Sequence, residues 1–267
     1  MIFGVPKEIK SGENRVGLTP NGVKFLLGSN RNIVFVEAGA GKNAGFSDKE
    51  YQKAGAHLVY DNVYRAVEVI VKVKELQSEE YKYLRKGLTL FQFLHLATEK
   101  EFLDLLLEKE ITSIDLAAIK NDSGVPHIVK PMSEIAGMLA AQLGAHFLAS
   151  PDGNGKLVGK IGDITPPCYL IFGAGNVGRN AVLMAHSMGA RVIAFDTNES
   201  LVHELNSKYS HLDGLVFLLY QNTQLQNFLE KGDVFIGAAI PNINGLAAKV
   251  LKREDLKYIK PRSVLMM

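Results

Sequence analysis

Short apolar runs rich in β-branched residues alternate with amphipathic segments along the whole chain. Apolar runs of this length indicate buried strands, and the amphipathic segments between them indicate helices. The alternation is typical of βαβ units, in which consecutive strands lie parallel in one sheet. The predicted strands are Ile2–Val5, Ile33–Val36, Val67–Val73, Leu88–Leu94, Thr112–Ile119, Tyr169–Phe172, Arg191–Phe195, Leu215–Leu219, Val234–Ala238 and Ser263–Met267. The pattern therefore predicts an α/β fold with mostly parallel sheets.

Capping residues predict where several helices begin. Thr19 and Pro20 supply a capping hydroxyl and a first-turn proline. We expect Ser78 to cap a second helix, and the segment Glu101–Leu107 to be helical with one apolar face. The leucines predicted to share that face are Leu103, Leu106 and Leu107.

A turn-forming cluster at 121–124 predicts a domain boundary. Ser133 follows it and is expected to cap a linker helix over 133–148, whose many small residues permit close packing. We therefore predict two Rossmann-like domains, at residues 1–129 and 130–267.

Composition narrows the function classes. The 267 residues carry a net charge of +2, which is too small to indicate a nucleic acid partner or an acidic membrane surface. Cys168 is the one cysteine, so an internal disulfide and a multi-cysteine metal site are excluded. The sequence has neither a secretory signal pattern nor an apolar run long enough for a membrane helix. We expect a cytoplasmic protein without a membrane partner.

The segment from Gly173 to Gly178 reads G-x-G-x-x-G, with an apolar strand before it and an amphipathic helix after it. In this context Gly173 permits a tight turn, Gly175 lets the backbone approach a pyrophosphate, and Gly178 allows close packing of helix on strand. Amides at the helix N-terminus then meet the phosphate charge. The alternative interpretation is a purely structural strand–turn–helix.

Asp196 closes the next predicted strand, 18 positions after Gly178. This is near the spacing of about 20 at which an acidic residue bonds the adenosine ribose hydroxyls. Because a carboxylate there would repel a 2′-phosphate, the sequence predicts NAD rather than NADP as the cofactor. Otherwise Asp196 is a plain turn residue.

Three residues in the first half are candidates for binding and converting a small carboxylic acid. Arg15 lies between a predicted strand and a helix, whereas Lys74 and His95 each directly follow a predicted strand. Carboxyl ends of parallel strands face the ligand crevice, so Lys74 and His95 are expected to point to one place. A solvated lysine and a structural histidine are the alternatives, and Lys72 is a rival two positions earlier. Carboxylates with the spacing of metal ligands are not apparent.

Motifs along the whole chain then point to one family. They are Gly4–Glu8, Asn14–Pro20, Lys72–Glu75, Leu90–Ala97 and Pro131–Gly137. The first two resemble the start of the alanine dehydrogenases and of the related proton-pumping transhydrogenase subunit. The other three narrow the resemblance to the alanine dehydrogenases, because the transhydrogenase branch lacks the histidine motif.

The resemblance implies reversible oxidative deamination of L-alanine to pyruvate and ammonia, with hydride passing to NAD, in a homohexamer. Arg15 and Lys74 would hold the carboxylate and carbonyl of pyruvate or alanine, and His95 would be the general acid/base. Ser133 would contact the cofactor. Asn176 and Val177 would contact its pyrophosphate, Asp196 its ribose, and Ala239 and Ile240 its nicotinamide side.

Some positions depart from the family pattern. The family continues past the last predicted strand into an Asp- and Gly-rich loop with a second catalytic carboxylate, and then completes the substrate domain. We therefore expect an incomplete substrate domain in a shortened chain, with cofactor binding more assured than turnover. The internal departures are Leu76 for a proline, Ala117 for a glutamate, Arg262 for a turn glycine, and an unusual loop at Pro241–Gly245.

Two other functions remain open at this point. A catalytically silent NAD-binding protein or subunit fits the short chain. A transhydrogenase NAD-binding component, working beside membrane subunits, fits the first two motifs but is disfavoured by His95.

Overall fold

The structure is a computed structural model that describes residues 1–29, 31–96, 99–221, 225–239 and 249–266. The chain divides into two compact units, Met1–Ile128 and Val129–Met267. Each unit has its own sheet and its own hydrophobic core.

The first unit contains a six-stranded sheet in the order β3-β2-β1-β4-β5-β6, and all of its paired strands are parallel. The strands are β1 Ile2–Val5, β2 Ile33–Glu37, β3 His57–Val59, β4 Val69–Val71, β5 Thr89–Gln92 and β6 Thr112–Asp115. The α-helices are α1 Pro20–Leu27, α2 Asp48–Lys53 and α3 Lys100–Glu108, and 3₁₀ helices cover Lys42–Ala44, Val63–Ala66, Ser78–Tyr83 and Leu116–Ala118. This is the strand order of a doubly wound fold, with the switch in direction between β1 and β4.

The cores of the first unit follow from its buried β-branched strands. One cluster includes Val34 and Val36 of β2 with Tyr51 of α2, and another includes Ile70 of β4 with Leu90 of β5. Parallel strands in such folds are covered on both faces, so apolar runs rather than alternating patterns mark them in the sequence.

Local hydrogen bonds explain where the helices of this unit begin. The Thr19 hydroxyl accepts from the amide of Gly22, as the sequence predicts for α1. The expected cap at Ser78 is wrong, because Gln77 occupies the capping position and its amide donates to Glu80. Ser78 is instead the first residue of a 3₁₀ helix.

Two other expectations in this unit need correction. Leu107 of α3 is 68% exposed, and the buried residues are Phe102 and Leu106, because the helix rotates its core face toward Phe102. The strand expected to reach Ile119 ends at Asp115, since the Asp115 carboxylate accepts from the amide of Ala117 and starts a 3₁₀ turn.

The second unit contains a five-stranded parallel sheet in the order β11-β10-β7-β8-β9. The strands are β7 Cys168–Phe172, β8 Arg191–Asp196, β9 Leu215–Leu219, β10 Val234–Gly237 and β11 Val264–Met266. The helices are α4 Val129–Leu148, α5 Asn176–Ser187, α6 Glu199–Lys208, α7 Gln226–Leu229 and a 3₁₀ helix at Arg253–Tyr258. The direction switches between β7, which is buried throughout, and β10.

Small residues of α4 allow it to lie directly on its neighbours, as expected. A Cβ on Gly137 would stand 2.1 Å from the Val177 carbonyl oxygen of α5, and a Cβ on Gly144 would stand 2.7 Å from Val234 of β10. The cap expected at Ser133 is wrong, because α4 begins at Val129 and Ser133 lies inside it.

Two findings concern classes of function, and a third concerns a departure from the family pattern. Among the helices that the structure describes, none has the length and apolar content that crossing a lipid bilayer requires. Within the same residues, His, Cys, Asp and Glu form no group of three or more that could hold a metal ion. Arg262, where the resemblance expects a glycine, has φ 60°, the backbone region that favours glycine.

A buried carboxylate anchors two loops to the start of β10. The Asp233 carboxylate accepts hydrogen bonds from Lys156 Nζ at 2.7 Å, Lys260 Nζ at 2.9 Å and the Cys168 amide at 2.9 Å. Burial alone would raise the pKa of Asp233, but the donors outweigh it and the pKa is lowered. The ionised form is therefore the one that the fold stabilises.

We expect Asp233→Asn to lower the free energy of unfolding by about 2–3 kcal/mol at pH 7, because two lysines lose a buried partner. Since the pKa of Asp233 is lowered in the fold, this stabilisation is complete above the ordinary aspartate pKa of about 4 and is lost as the pH falls further. Urea unfolding at several pH values checks this, with the exposed Asp163→Asn as the control. A difference from wild type that persists undiminished at low pH would contradict it.

Candidate functional site

The switch point of the first unit lies between β1 and β4, where ligands bind in folds of this type. The loop after β1 crosses the carboxyl end of β4 at very short range. A Cβ on Gly17 would stand 2.4 Å from the carbonyl oxygen of Val71, the last residue of β4. This approach brings the neighbouring Arg15 to the end of β4.

Arg15 is held by a carboxylate from its own loop. Its Nε donates to Glu13 Oε1 at 2.8 Å and its Nη2 to Glu13 Oε2 at 2.7 Å. The hydrogen bond from Arg15 lowers the pKa of Glu13 to about 2, so Glu13 is ionised at neutral pH. The Arg15 side chain is 49% exposed, whereas that of Glu13 is 6% exposed. The guanidinium is thus oriented by Glu13, and about half of the Arg15 side chain is exposed.

The structure separates the two candidate lysines after β4. Lys72 is 1% exposed, and its ammonium pairs with Glu80 at 2.8 Å and Glu8 at 3.6 Å, which removes it as a ligand for a soluble substrate. Lys74 is partly exposed, and it contributes to the electrostatic lowering of the pKa of Glu13. Lys74 is therefore the lysine near Arg15 that a substrate can reach.

His95 follows β5, the neighbour of β4, by three residues. It is exposed, its ring stacks on that of Phe93 at 6.2 Å, and its backbone has φ 51°. A non-glycine residue in this region carries about 1–3 kcal/mol of strain, and such residues cluster at functional sites.

Glu75 binds Lys10 of the loop after β1 and is also within electrostatic reach of His95. Its Oε1 accepts from Lys10 Nζ. Burial is the largest influence on Glu75 and opposes its ionisation, but hydrogen bonds, chiefly from Lys10, and the charges of Lys10 and His95 together outweigh it, so the pKa of Glu75 is lowered. Arg15, Lys74 and His95 thus belong to loops at the carboxyl ends of three adjacent strands, as the sequence predicts for the latter two.

The switch point of the second unit holds the glycine-rich turn. Gly173 has φ 103°, and a Cβ there would stand 2.6 Å from the Ala238 carbonyl oxygen, just after β10. A Cβ on Gly178 would stand 1.7 Å from the Gly173 carbonyl oxygen. Around Gly175, by contrast, no described atom apart from its chain neighbours lies within 4 Å of the Cβ position. The turn therefore has no room for a side chain at Gly173 or Gly178, but it has room at Gly175.

Helix α5 begins at this open glycine. Gly175 is the capping residue, and among the described residues no side chain caps this helix end. Asn176, the first helical residue, is exposed and Val177 is half-buried. The N-terminal amides of a helix carry partial positive charge, so this end suits an anion.

A cleft of about 440 Å³ opens beside the turn, a volume within the range of small-molecule sites. The Asp196 carboxylate at the end of β8 lines it and accepts from the Ala174 amide at 2.7 Å and the Asn198 amide at 2.9 Å. The other residues that line the cleft are Phe172, Gly173, Gly175, Phe195, Thr197, Asn198, Leu201, Tyr220, Ala238, Ala239, Lys249 and Val250.

The remaining predicted cofactor residues are Ser133, Ala239 and Ile240. Ser133 lies in α4 one turn before Gly137, which contacts the first turn of α5. Ala239 lines the cleft, and Ile240 lies outside the described residues. Sequence reasoning missed Tyr220, although its position directly after a predicted strand was a usable signal, and missed Lys249, which follows no predicted element.

Comparison with known proteins gives the family of the chain. Residues 4–136 match the family model for the alanine dehydrogenase/PNT N-terminal domain, and residues 140–266 match the model for the C-terminal domain. The alanine dehydrogenase of Bacillus subtilis is 40% identical over 99% of this chain and 69% of its own length. The chain belongs to the alanine dehydrogenase/PNT family. The alanine dehydrogenase of Mycolicibacterium smegmatis is 36% identical over 99% of this chain and 71% of its own length.

Solved structures support the same conclusion. An L-alanine dehydrogenase superposes with a TM-score of 0.89 at 33% identity, covering 99% of this chain and 73% of its own. A transhydrogenase from Sinorhizobium meliloti, at 24% identity and a TM-score of 0.83 over 99% of this chain and 77% of its own, shows the same fold. The predicted family, the α/β fold with two parallel sheets, the oxidoreductase class and NAD as cofactor are therefore confirmed at the level of the family.

The two glycines at the start of α5 should respond differently to the same substitution. We expect Gly175→Ala to change the free energy of unfolding by less than about 1 kcal/mol, because its Cβ meets open space, and to weaken NADH binding about tenfold or more. Gly178→Ala should instead destabilise the fold by about 2 kcal/mol or more, because its Cβ overlaps the Gly173 carbonyl.

Calorimetric titration with NADH and chemical unfolding of both variants check this pair. Wild-type NADH affinity in folded Gly175→Ala would show that the open side of the turn does not face the cofactor.

Proposed function

We propose that this chain catalyses the reversible NAD-dependent oxidative deamination of L-alanine to pyruvate and ammonia. The observation that carries the proposal is that Arg15, Lys74 and His95 lie in the loops after β1, β4 and β5, three adjacent parallel strands of the first unit. The 40% identity to the Bacillus subtilis alanine dehydrogenase supports the choice of reaction. We assign substrate binding to residues 1–129 and NAD binding to residues 130–267.

The residues of the second unit fit a dinucleotide. The open side of Gly175 leaves room for a pyrophosphate beside the first amides of α5, at Asn176 and Val177. Asp196 offers its carboxylate to the ribose hydroxyls at the edge of the cleft, which favours NAD over NADP. We also assign Ser133, Gly173, Gly178, Ala239 and Ile240 to this site. Bound NAD would supply the hydride acceptor.

The residues of the first unit would bind and activate the substrate. The exposed side of the Arg15 guanidinium would take the carboxylate, for which a planar fork of donors is well suited. The Lys74 ammonium would stabilise negative charge that develops on the carbonyl oxygen in the transition state. His95 would move the proton, since imidazole is the side chain that most often serves as a general acid or base.

The overall conversion balances with water. L-alanine, NAD⁺ and water give pyruvate, ammonium, NADH and a proton. In the reverse direction, carbonyl polarisation by Lys74 assists the addition of ammonia. The family resemblance also supports a cytoplasmic homo-oligomer, a hexamer in its usual form, and we include both in the proposal.

Titration calorimetry with NADH, then with pyruvate, followed by an assay of L-alanine-dependent NAD⁺ reduction, tests the proposal. We expect NADH to bind, pyruvate to bind the NADH complex, and alanine to reduce NAD⁺. Binding of NADH without pyruvate binding or turnover would replace the proposal with a silent NAD-binding protein. An absence of NADH binding would overturn the cofactor site as well.

Substitutions in the first unit should separate substrate chemistry from cofactor binding. We expect Lys74→Met to lower kcat/KM by about 100-fold or more, and His95→Gln to lower kcat by about 100-fold or more, with NADH affinity unchanged. The exposed Lys53→Met and His57→Gln are matched controls and should retain wild-type activity. Near-normal kinetics of Lys74→Met or His95→Gln would rule out the assigned role of that residue.

A further inference from the structure

We infer that Glu8 is a positioning residue that fixes Lys74 for the substrate. The inference rests on the proposed function, which makes Lys74 a substrate ligand. Glu8 lies after β1 and Lys74 after β4, so the contact between them spans the switch point of the first unit.

The Glu8 carboxylate grips two successive backbone amides. Its Oε1 accepts from the Val73 amide at 2.7 Å, and its Oε2 accepts from the Lys74 amide at 3.3 Å. Two oxygens of one rigid carboxylate thereby fix the orientation of the peptide unit that leads into Lys74. The direction in which the Lys74 side chain leaves the backbone follows from that orientation.

Glu8 also belongs to a buried cluster of charged side chains, with Lys72 and Glu80. Its side chain is 3% exposed, and Lys72 Nζ lies 3.6 Å from its Oε2. The same ammonium lies 2.8 Å from Glu80 Oε1, which also accepts from the Tyr64 hydroxyl at 2.6 Å. Glu80 therefore has two partners, Lys72 and Tyr64. A continuous series of contacts runs from Tyr64 through Glu80, Lys72 and Glu8 to the Lys74 amide.

A purely stabilising role explains this cluster poorly. A buried ion pair contributes little net stability compared with well-packed apolar side chains. Glu8 adds a second carboxylate to a single lysine, and burial raises its pKa despite the attraction of Lys72. The feature that an apolar side chain could not reproduce is the pair of hydrogen bonds to the amides of Val73 and Lys74.

Glu8→Gln tests the inference with little change in shape. One amide would still find the carboxamide oxygen, while the other would face an NH₂ group. The Lys72–Glu80 pair stays balanced in charge, so we expect the variant to fold. The exposed Glu79→Gln, which removes the same charge near the same buried pair, is the control.

We expect Glu8→Gln to raise the KM for pyruvate about tenfold or more, with NADH affinity unchanged and kcat less affected. Loss of folded protein would instead lower kcat and NADH stoichiometry together and leave KM alone. In a Lys74→Met background, Glu8→Gln should change KM no further, because its effect passes through Lys74. Additive effects of the two substitutions, or an unchanged KM in Glu8→Gln, would overturn the inference.

Hydrogen exchange at the Val73 and Lys74 amides gives a readout that does not depend on turnover. We expect both to exchange about tenfold faster in Glu8→Gln and at the wild-type rate in Glu79→Gln. If the wild-type chain neither binds nor converts pyruvate, the proposed function fails, and the exchange rates alone decide whether Glu8 holds this backbone. Unchanged exchange at both amides would overturn the inference in either case.

Discussion

At each switch point, the chain that leaves the central strand passes so close to a neighbouring strand end that a side chain would not fit. Gly17 meets the carbonyl of Val71 in the first unit, and Gly173 meets the carbonyl of Ala238 in the second. These approaches place the loops that carry the candidate residues. A Cβ at either position would push the loop away from the strand end and displace the candidate residues that the loop carries.

Carboxylates of the first unit contact the residues that we propose as its substrate ligands. Arg15 is held by Glu13, and the backbone of Lys74 is held by Glu8. The side chains of Glu13 and Glu8 are only 6% and 3% exposed, whereas that of Arg15 is 49% exposed. Such an arrangement reduces the reorganisation needed on binding, which is how preorganised charge contributes to catalysis.

Much of the framework could be predicted from the sequence, because buried parallel strands leave clear apolar runs. The bounds of β1 and β9, and the glycine-rich turn before α5, follow directly from the pattern. β3 and α6 were not predicted, since His57–Val59 is short and Glu199–Lys208 is largely polar. The 3₁₀ helix that shortens the strand predicted at 112–119 depends on the hydrogen bond from the Ala117 amide to the Asp115 side chain, which spacing alone does not reveal.

The candidate cations of the first unit could be named from the sequence, whereas the carboxylates that contact them could not. Alternation along a strand leaves Lys72 and Lys74 equivalent, and only the burial of Glu8 and Glu80 around Lys72 distinguishes them. Acidic residues in loops look like solvated charges in a sequence. Their buried partners come from distant segments, so their role emerges only once the sheet order is known.

Asp196 joins two tasks in one side chain. Its carboxylate faces the cleft beside the turn, and it also accepts the amide hydrogen of Ala174 within that turn. Under the proposed ribose role of Asp196, redesigning the preference between the phosphorylated and unphosphorylated dinucleotides cannot consist of exchanging this one position for a neutral or basic residue. A working redesign would need a new acceptor for the Ala174 amide, so the specificity of the pocket and the shape of its floor would have to change together.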